Sequence, residues 1–285
     1  MTEPLGFGTP LAELYPQLTG RLFVNGPFAR LRQGLLASFL HHSIRPEIGL
    51  EGNCLHDRPL AEFQEVAAAL RQVGLACTLH APFSDLSPGA SDPEIRRVTR
   101  HKLQKALELI EIFEPVAVVC HLGYEDNKHA WKQADWLEHS LETWQELLQM
   151  AAPAGVPIML ENTYEKSPTV HREILTRLDS PAARFCLDVG HTLAFAGNSW
   201  HDWLPELTPW LGHLHLHDNH GGQDEHLAVG RGIFDFTGLF AYLRENDLRP
   251  TITLEPHQEG DLLASLTTLA HMCLPEAPRS LSGGR

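Results

Sequence analysis

Histidine and acidic side chains recur at the points where short apolar runs of this chain end. His80 follows Cys77-Thr78-Leu79, and Glu161 follows Ile158-Met159-Leu160. The carboxyl ends of parallel strands meet at one face of a barrel, and imidazole and carboxylate groups are usual ligands of divalent metals. The repetition therefore predicts a metal site at the mouth of a parallel barrel. Six residues share this position: His80, His121, Glu161, Asp188, His215 and Glu255.

The apolar runs alternate with helical patterns throughout the chain. Strands are predicted at 21–24, 46–51, 75–80, 116–121, 158–161, 184–188, 211–217 and 251–255, and helices at 28–40, 60–73, 93–110, 131–150, 168–178, 200–207, 236–245 and 262–272. Because the strands are continuously apolar, both of their faces should be covered. We therefore expect an α/β fold, a single (β/α)8 barrel over residues 1–275, with the metal site at the carboxyl ends of its strands.

An open, doubly wound sheet is the alternative architecture. Such a sheet would concentrate its ligands at one switch point, whereas here they follow most of the strands. The strand ends from His80 to Glu255 lie 41, 40, 27, 27 and 40 residues apart, so each interval has room for a loop, a helix and a strand. Residues 276–285 are rich in Ser, Gly and Pro, and a disordered tail is predicted there.

The composition points to a soluble protein of the cytoplasm. Of the 285 residues 43% are hydrophobic, yet no apolar run reaches the length of about 18 residues of a membrane-spanning helix. The chain start lacks the pattern of a signal peptide. Five cysteines without a C-x-x-C pair are expected to be reduced. The net charge of −14 disfavours a nucleic-acid partner without ruling it out, because a bound metal could reverse the local sign.

His213, His215 and His217 alternate along one predicted strand. Alternate residues of a strand point to the same face, so three imidazoles would share the barrel interior. Either His215 or His217 is expected to bind a metal; hydrogen bonds from one or two of the rings to neighbouring carboxylates are the alternative.

Further candidate ligands follow the sixth and seventh strands. Gly190 permits a sharp turn that could bring His191 back over the barrel mouth. Asp224 and His226 alternate in a loop and could chelate one ion if that loop is extended. The glycines before them make a surface turn the alternative.

Two glutamates, Glu161 and Glu255, end the fifth and eighth strands and would face each other across the barrel mouth. Across a metal ion they could move a proton on either face of a sugar carbon. An ion pair with arginine is the alternative for either one, but metal ligation better explains two inward-facing carboxylates.

Four residues are candidates for substrate contacts. His80 and His121 could donate hydrogen bonds to substrate hydroxyls or bind a further metal. Arg231, in a glycine-containing loop, could hold a phosphate or carboxylate of the substrate or lie at the surface. Glu51 could bind a hydroxyl or pair with a cation.

The chain resembles the xylose isomerase-like TIM-barrel superfamily, which includes sugar phosphate isomerases and epimerases and endonuclease IV. The resemblance extends from the second strand to the eighth. The motifs that carry it are His80-Ala81-Pro82-Phe83, Glu161-Asn162-Thr163, Asp188-Val189-Gly190-His191, His215-Leu216-His217-Asp218, Asp224-Glu225-His226 with Gly230-Arg231-Gly232, and Leu254-Glu255-Pro256.

The resemblance implies two alternative chemistries. In the sugar epimerases, matches to Glu161, Asp188, His215 and Glu255 hold one divalent metal. The two glutamates act as acid and base around a metal-stabilised enediolate, and the match to His191 contacts the substrate. Endonuclease IV instead holds three zinc ions through nine ligands, and all nine matches are present here: His80, His121, Glu161, Asp188, His191, His215, Asp224, His226 and Glu255.

The first hypothesis is therefore an isomerase or epimerase of a small sugar or sugar phosphate that uses one zinc or manganese ion, and at most three. The alternative is a zinc phosphodiesterase that cleaves DNA at abasic sites. Two departures from the endonuclease IV pattern favour the sugar enzyme. The segment after His80 lacks the residues associated with insertion into DNA, and Arg231 stands where endonuclease IV has an acid. We expect no membrane partner, and either a monomer or a homo-oligomer. Two further functions remain as alternatives, a metal-dependent lyase and a non-catalytic binding protein.

Overall fold

Eight parallel strands form a closed barrel. The structure is a computed structural model and describes Gly6 and residues 8–278. Each strand pairs with its neighbours in the chain, and the last strand closes onto the first. The predicted (β/α)8 TIM barrel is thus confirmed, and the open sheet is wrong. Strands β1 to β8 are Leu22–Pro27, Arg45–Gly49, Thr78–His80, Val118–His121, Ile158–Glu161, Ala183–Asp188, Leu211–Leu216 and Thr251–Leu254.

Helices cover the outside of the barrel. The main helix that follows each strand, α1 to α8, is Leu36–His42, Leu60–Gln72, Pro93–Leu107, Gln133–Ala151, Thr169–Leu178, Trp200–Leu207, Phe236–Glu245 and Glu259–Ala270. Shorter helical segments are Leu11–Leu14, Pro16–Thr19, Phe28–Arg30, Leu31–Leu35, Cys54–Asp57, Ile110–Phe113, Asp126–His129, Ala130–Lys132, Ala152–Ala154, Val189–His191, Thr192–Ala196 and Thr208–Trp210. None of the helices within the described residues combines the length and apolarity needed to cross a bilayer.

Several predicted elements differ from those observed, and two of the differences have a local structural cause. The helix predicted at 28–40 is interrupted, because Gly34 has a φ of 120°, which glycine adopts far more readily than other residues. The strand predicted at 75–80 begins only at Thr78, because the Leu75 amide bonds back to the Leu70 carbonyl at the end of α2. The predicted tail at 276–285 lies outside the described residues from position 279 onward.

The core has two parts. Large side chains fill the space between strands and helices; the rings of Phe185 and Trp203, for example, stack with their centroids 6.3 Å apart. Inside the barrel, a small apolar group surrounds Met159. Toward the carboxyl ends of the strands the interior of the barrel becomes polar, and the candidate site lies at this end. The polar part of the interior begins with four buried side chains, Glu47, Thr78, His213 and Thr253.

The start of α3 is fixed by a side-chain cap. Asp92 Oδ1 accepts hydrogen bonds from the amides of Glu94 and Ile95, at 2.7 and 3.3 Å. Pro93 occupies the first turn, where its missing N–H is not needed. This cap fixes the start of the helix that follows the loop after β3.

We expect Asp92→Ala to lower the free energy of unfolding by about 1 kcal/mol, because two helix-start amides lose their acceptor. Urea denaturation of the purified protein measures this loss. Ser91→Ala, at the preceding exposed position, is the control and should change the value by less than about 0.5 kcal/mol. Equal losses in the two variants would contradict the assigned cap.

Candidate metal centre

A buried glutamate lies at the centre of the barrel mouth. Glu161, the last residue of β5, is 1% exposed, and its two oxygens face different imidazoles. Oε2 lies 3.1 Å from His80 Nε2 and 3.4 Å from His121 Nε2. Oε1 lies 3.4 Å from Nδ1 of both His191 and His215. One carboxylate thus joins side chains from four strand ends.

A second group of potential ligands surrounds His215 on β7. Its Nδ1 lies 3.4 Å from Glu255 Oε1 and 3.7 Å from Asp188 Oδ2, in addition to its contact with Glu161. Strand register explains the neighbourhood, because Asp188 pairs directly with His215 across β6 and β7. One imidazole nitrogen among three carboxylates is a donor set that suits zinc or manganese.

A third group forms around Asp224, in the loop after β7. Its Oδ2 lies 3.0 Å from His226 Nε2 and 3.4 Å from His191 Nε2. The His217 ring stacks on His226 with the centroids 3.9 Å apart, and its Nδ1 lies 3.6 Å from Asp224 Oδ1. The alternating pair Asp224 and His226 therefore faces the barrel mouth and not the outer surface.

Backbone carbonyls orient three of the histidines. A carbonyl oxygen only accepts, so the ring Nδ1–H must donate, and the lone pair of the neutral ring is left on Nε2. Each of these Nε2 atoms faces a carboxylate, which is the usual orientation of metal-binding histidines. The pairs are His80 with Ala81 (2.9 Å), His191 with Asn162 (2.8 Å) and His226 with Glu255 (3.1 Å).

Several buried polar atoms of the cluster lack a hydrogen-bond partner. They include Nδ1 of His215, Nδ1 of His217 and Oδ1 of Asp224. Such atoms are costly to bury unless an ion, a water or a protein group satisfies them. A divalent cation would satisfy them, so the residues present fit a metal ion.

Opposite charges hold the site ionised. Burial raises the pKa of Glu161, but the surrounding imidazoles outweigh this effect and bring that pKa well below its usual value. Burial lowers the pKa of His80, yet its hydrogen bond to Glu161 and the charge of that group raise the pKa to about 9. In the same way, Asp224 overcomes burial and raises the pKa of His226 to about 9.

The loop that carries Asp224 and His226 is tied to the barrel by Asp218. This carboxylate is completely buried just after β7. Its oxygens accept hydrogen bonds from three backbone amides at the other end of the loop. This one side chain therefore holds the two ends of the loop together. The donors are Gly230 (3.1 Å), Gly232 (2.8 Å) and Phe234 (3.1 Å).

A cavity of about 310 Å³ opens above the ligands. Glu51 lines it, and burial raises the pKa of that carboxyl group. Arg231 is exposed and is not among the residues that line the cavity. The wall combines acids and imidazoles with aromatic rings, among them Phe83, Tyr164, Phe195 and His257.

Two buried residues near the ligands were not in the predicted site. His217 Nε2 lies 3.0 Å from Asp188 Oδ1, and the alternation on β7 had already offered this ring as the alternative to His215. Glu47, on β2, is completely buried beside His213 and His215. The available signal for Glu47 was a carboxylate in the middle of a strand that was expected to be covered on both faces.

Residues 47–272 match the family model of the xylose isomerase-like TIM barrel. The chain belongs to this family. The matched segment runs from β2 to the end of α8 and includes every candidate ligand. The expected superfamily is thereby confirmed.

Individual relatives agree with this assignment. The uncharacterised protein MJ1311 of Methanocaldococcus jannaschii is 29% identical to this chain over 195 residues. The aligned residues cover 66% of this chain and 66% of MJ1311, so the chain spans just under two thirds of the length of that relative. The TTHB071 protein of Thermus thermophilus, solved after soaking with ZnCl2, is 26% identical with a TM-score of 0.73, covering 88% of this chain and 98% of its own. A D-tagatose 3-epimerase-like protein shares the fold with a TM-score of 0.77 at 24% identity, over 87% and 95% of the two chains.

Gly190→Ala is expected to reduce bound metal, because a Cβ there would lie 2.0 Å from His217 Cε1 and displace that buried ring. Elemental mass spectrometry of the purified variant gives its metal content per chain. Gly260→Ala, in α8, is the matched control, since a Cβ there meets nothing within 4 Å. A metal content in Gly190→Ala equal to that of the wild type would show that metal binding does not depend on the position of the His217 ring.

Metal affinity is expected to rise between about pH 7 and pH 9. His80 and His226, each with its pKa raised to about 9, are protonated near neutrality, and a divalent cation bound to the neighbouring Glu161 and Glu255 would repel both imidazolium charges and favour loss of their protons. Calorimetric titration with Mn²⁺ in two buffers of different ionisation enthalpy would measure this release. Binding without proton release, and with the same Kd at both pH values, would refute the expectation.

Proposed function

We propose that the protein is a divalent-metal-dependent isomerase or epimerase of a small sugar or sugar phosphate. One observation carries the proposal: His215 Nδ1 lies 3.4 Å from an oxygen of Glu161 and 3.4 Å from an oxygen of Glu255. These two glutamates stand on β5 and directly after β8, beneath a cavity of sugar size. The proposal treats residues 1–275 as one catalytic domain.

Glu161, Asp188, His215 and Glu255 would hold the metal. Bound there, a divalent cation would polarise the carbonyl of a ketose and offset the charge that develops when the neighbouring carbon loses its proton. One glutamate would take that proton, and the other would return a proton to the opposite face. Glu161 suits the role of base because its surroundings keep it ionised.

The cavity wall supports a sugar as the substrate. Imidazoles and carboxylates donate to and accept from hydroxyl groups, and His80, His121, His191 and Glu51 all line the cavity. Phe83 stacks on His121 with the ring centroids 4.2 Å apart, which gives the wall a flat apolar face. Such a wall can orient a ring that carries hydroxyls on its edge.

A zinc phosphodiesterase is the second candidate, and the grouping of the ligands favours it. His80, His121 and Glu161 form one group, His215 with three carboxylates a second, and His191, Asp224 and His226 a third. Three groups of this kind could hold up to three ions. The net charge of −14 opposes the approach of a DNA backbone, and for this reason we rank the sugar enzyme first.

We expect Glu161→Gln to lower kcat by about 100-fold or more on any ketose or ketose phosphate that the wild type interconverts, because one of the two proton-transferring groups is lost. A panel of such sugars, assayed with Mn²⁺ or Zn²⁺ by chromatography of the products, gives the measurement. Glu173→Gln, on the exposed side of α5, is the control. Wild-type turnover in Glu161→Gln would remove Glu161 from the mechanism.

The loop ligands separate the two candidate functions. The double variant Asp224→Ala with His226→Ala should keep most of its turnover in a one-metal isomerase, and should lose it in a three-metal hydrolase. Metal content per chain and cleavage of an oligonucleotide with one abasic site are measured on the same samples. Two or three zinc ions together with cleavage that the double variant abolishes would establish the phosphodiesterase.

A further inference from the structure

Glu47 is a charged side chain in a place where charge is costly. It lies in the middle of β2, its side chain points into the barrel, and it is completely buried. A carboxylate in such surroundings must be paired and hydrogen-bonded. No motif of the family resemblance includes it, and it does not line the cavity above the ligands. Its function must therefore lie in what it contacts.

Two hydroxyl groups fix one oxygen of Glu47. Thr78 on β3 and Thr253 on β8 each donate to Oε2, both at 2.9 Å. His213 Nε2 approaches the same oxygen at 3.3 Å. Oε2 is therefore fully engaged, and side chains from β3, β7 and β8 hold the carboxylate in one orientation.

The other oxygen faces the candidate ligand His215. Glu47 Oε1 lies 2.9 Å from His215 Nε2. The N–H does not point along this line, so both atoms still lack a hydrogen-bond partner of good geometry. A rotation of the ring would align this contact. Once Nε2–H donates to Oε1, the lone pair of the neutral imidazole is on Nδ1, the atom that faces Glu161 and Glu255.

This arrangement differs from that of the other histidines. His80, His191 and His226 donate Nδ1–H to neutral backbone carbonyls and present Nε2. His215 presents Nδ1 and has an ionised carboxylate behind it. A carboxylate behind a ligand histidine fixes the tautomer and strengthens the electron donation of the ring.

We propose that Glu47 is a positioning residue of the metal centre, which orients His215 and strengthens its hold on a divalent cation. The inference rests on the proposed metal centre, and not on the identity of the substrate. Glu47 would touch neither metal nor substrate. Its effect should therefore appear in metal affinity and in the coordination of the bound ion, before any effect on turnover is considered.

Glu47→Gln keeps the shape of the side chain and removes its charge, and Glu47→Leu also removes the acceptor. We expect the Kd for Zn²⁺, measured by competition with a chromophoric chelator, to rise about 10-fold in the first variant and about 100-fold in the second. The visible absorption spectrum of the Co²⁺-loaded protein should change as the His215 ring loses its fixed orientation. Activity is not needed for either measurement.

Glu165→Gln is the matched control, because Glu165 is also a buried glutamate but its carboxylate accepts from the backbone amides of Tyr124 and Thr163 and not from a candidate ligand. It should keep the wild-type Kd within about twofold. Unchanged affinity in both Glu47 variants would overturn the inference, and so would an equal loss in Glu165→Gln. If Glu47→Leu fails to fold, Thr253→Val, which loosens the carboxylate, should still weaken Zn²⁺ binding, and an unchanged Kd there would overturn it as well.

Failure of the proposed function is distinguishable from failure of this inference. Normal metal binding that depends on Glu47, without turnover of any sugar, would reject the isomerase and leave the role of Glu47 intact. If wild type and Asp188→Asn both bind no divalent cation, the metal centre and the role of Glu47 are rejected together.

Discussion

The structure of the barrel mouth depends on a buried carboxylate that is surrounded by imidazoles. Glu161 contacts four histidines, and desolvation alone would force it to take up a proton. Three of these rings, His80, His191 and His215, have raised pKa values, and their positive charge keeps Glu161 ionised. A closed barrel can bring the rings together because its strand ends converge, so fold and electrostatics depend on each other here.

The sequence was sufficient to predict the barrel, and it named most of the side chains that meet at the barrel mouth, because both follow from local patterns. An acid or histidine directly after an apolar run is visible in the chain, and parallel pairing places all such positions on one face. Asp188 and His215, 27 residues apart, become direct neighbours in this way. The same reasoning gave no information on how a loop folds back, so the inward orientation of Asp224 required the structure.

The remaining residues could not be predicted because their roles arise from contacts across the barrel. Glu47 looked like part of an ordinary strand, and only closure of the sheet brings it near Thr253, 206 positions along the chain. The break at Gly34 depends on a backbone angle that composition does not specify. Arg231 seemed suited to an anionic substrate, but its loop leaves the side chain exposed, outside the cavity lining.

The hydrogen bonds of Asp218 divide the candidate ligands into two kinds. Those on the strands are held by the sheet itself, whereas Asp224 and His226 keep their positions only as long as the loop closed by Asp218 keeps its course. In the proposed metal centre, the number of bound ions would thereby be separated from the integrity of the fold. Exchange of this one loop during evolution could convert a centre for several ions into a centre for one, with the barrel unchanged.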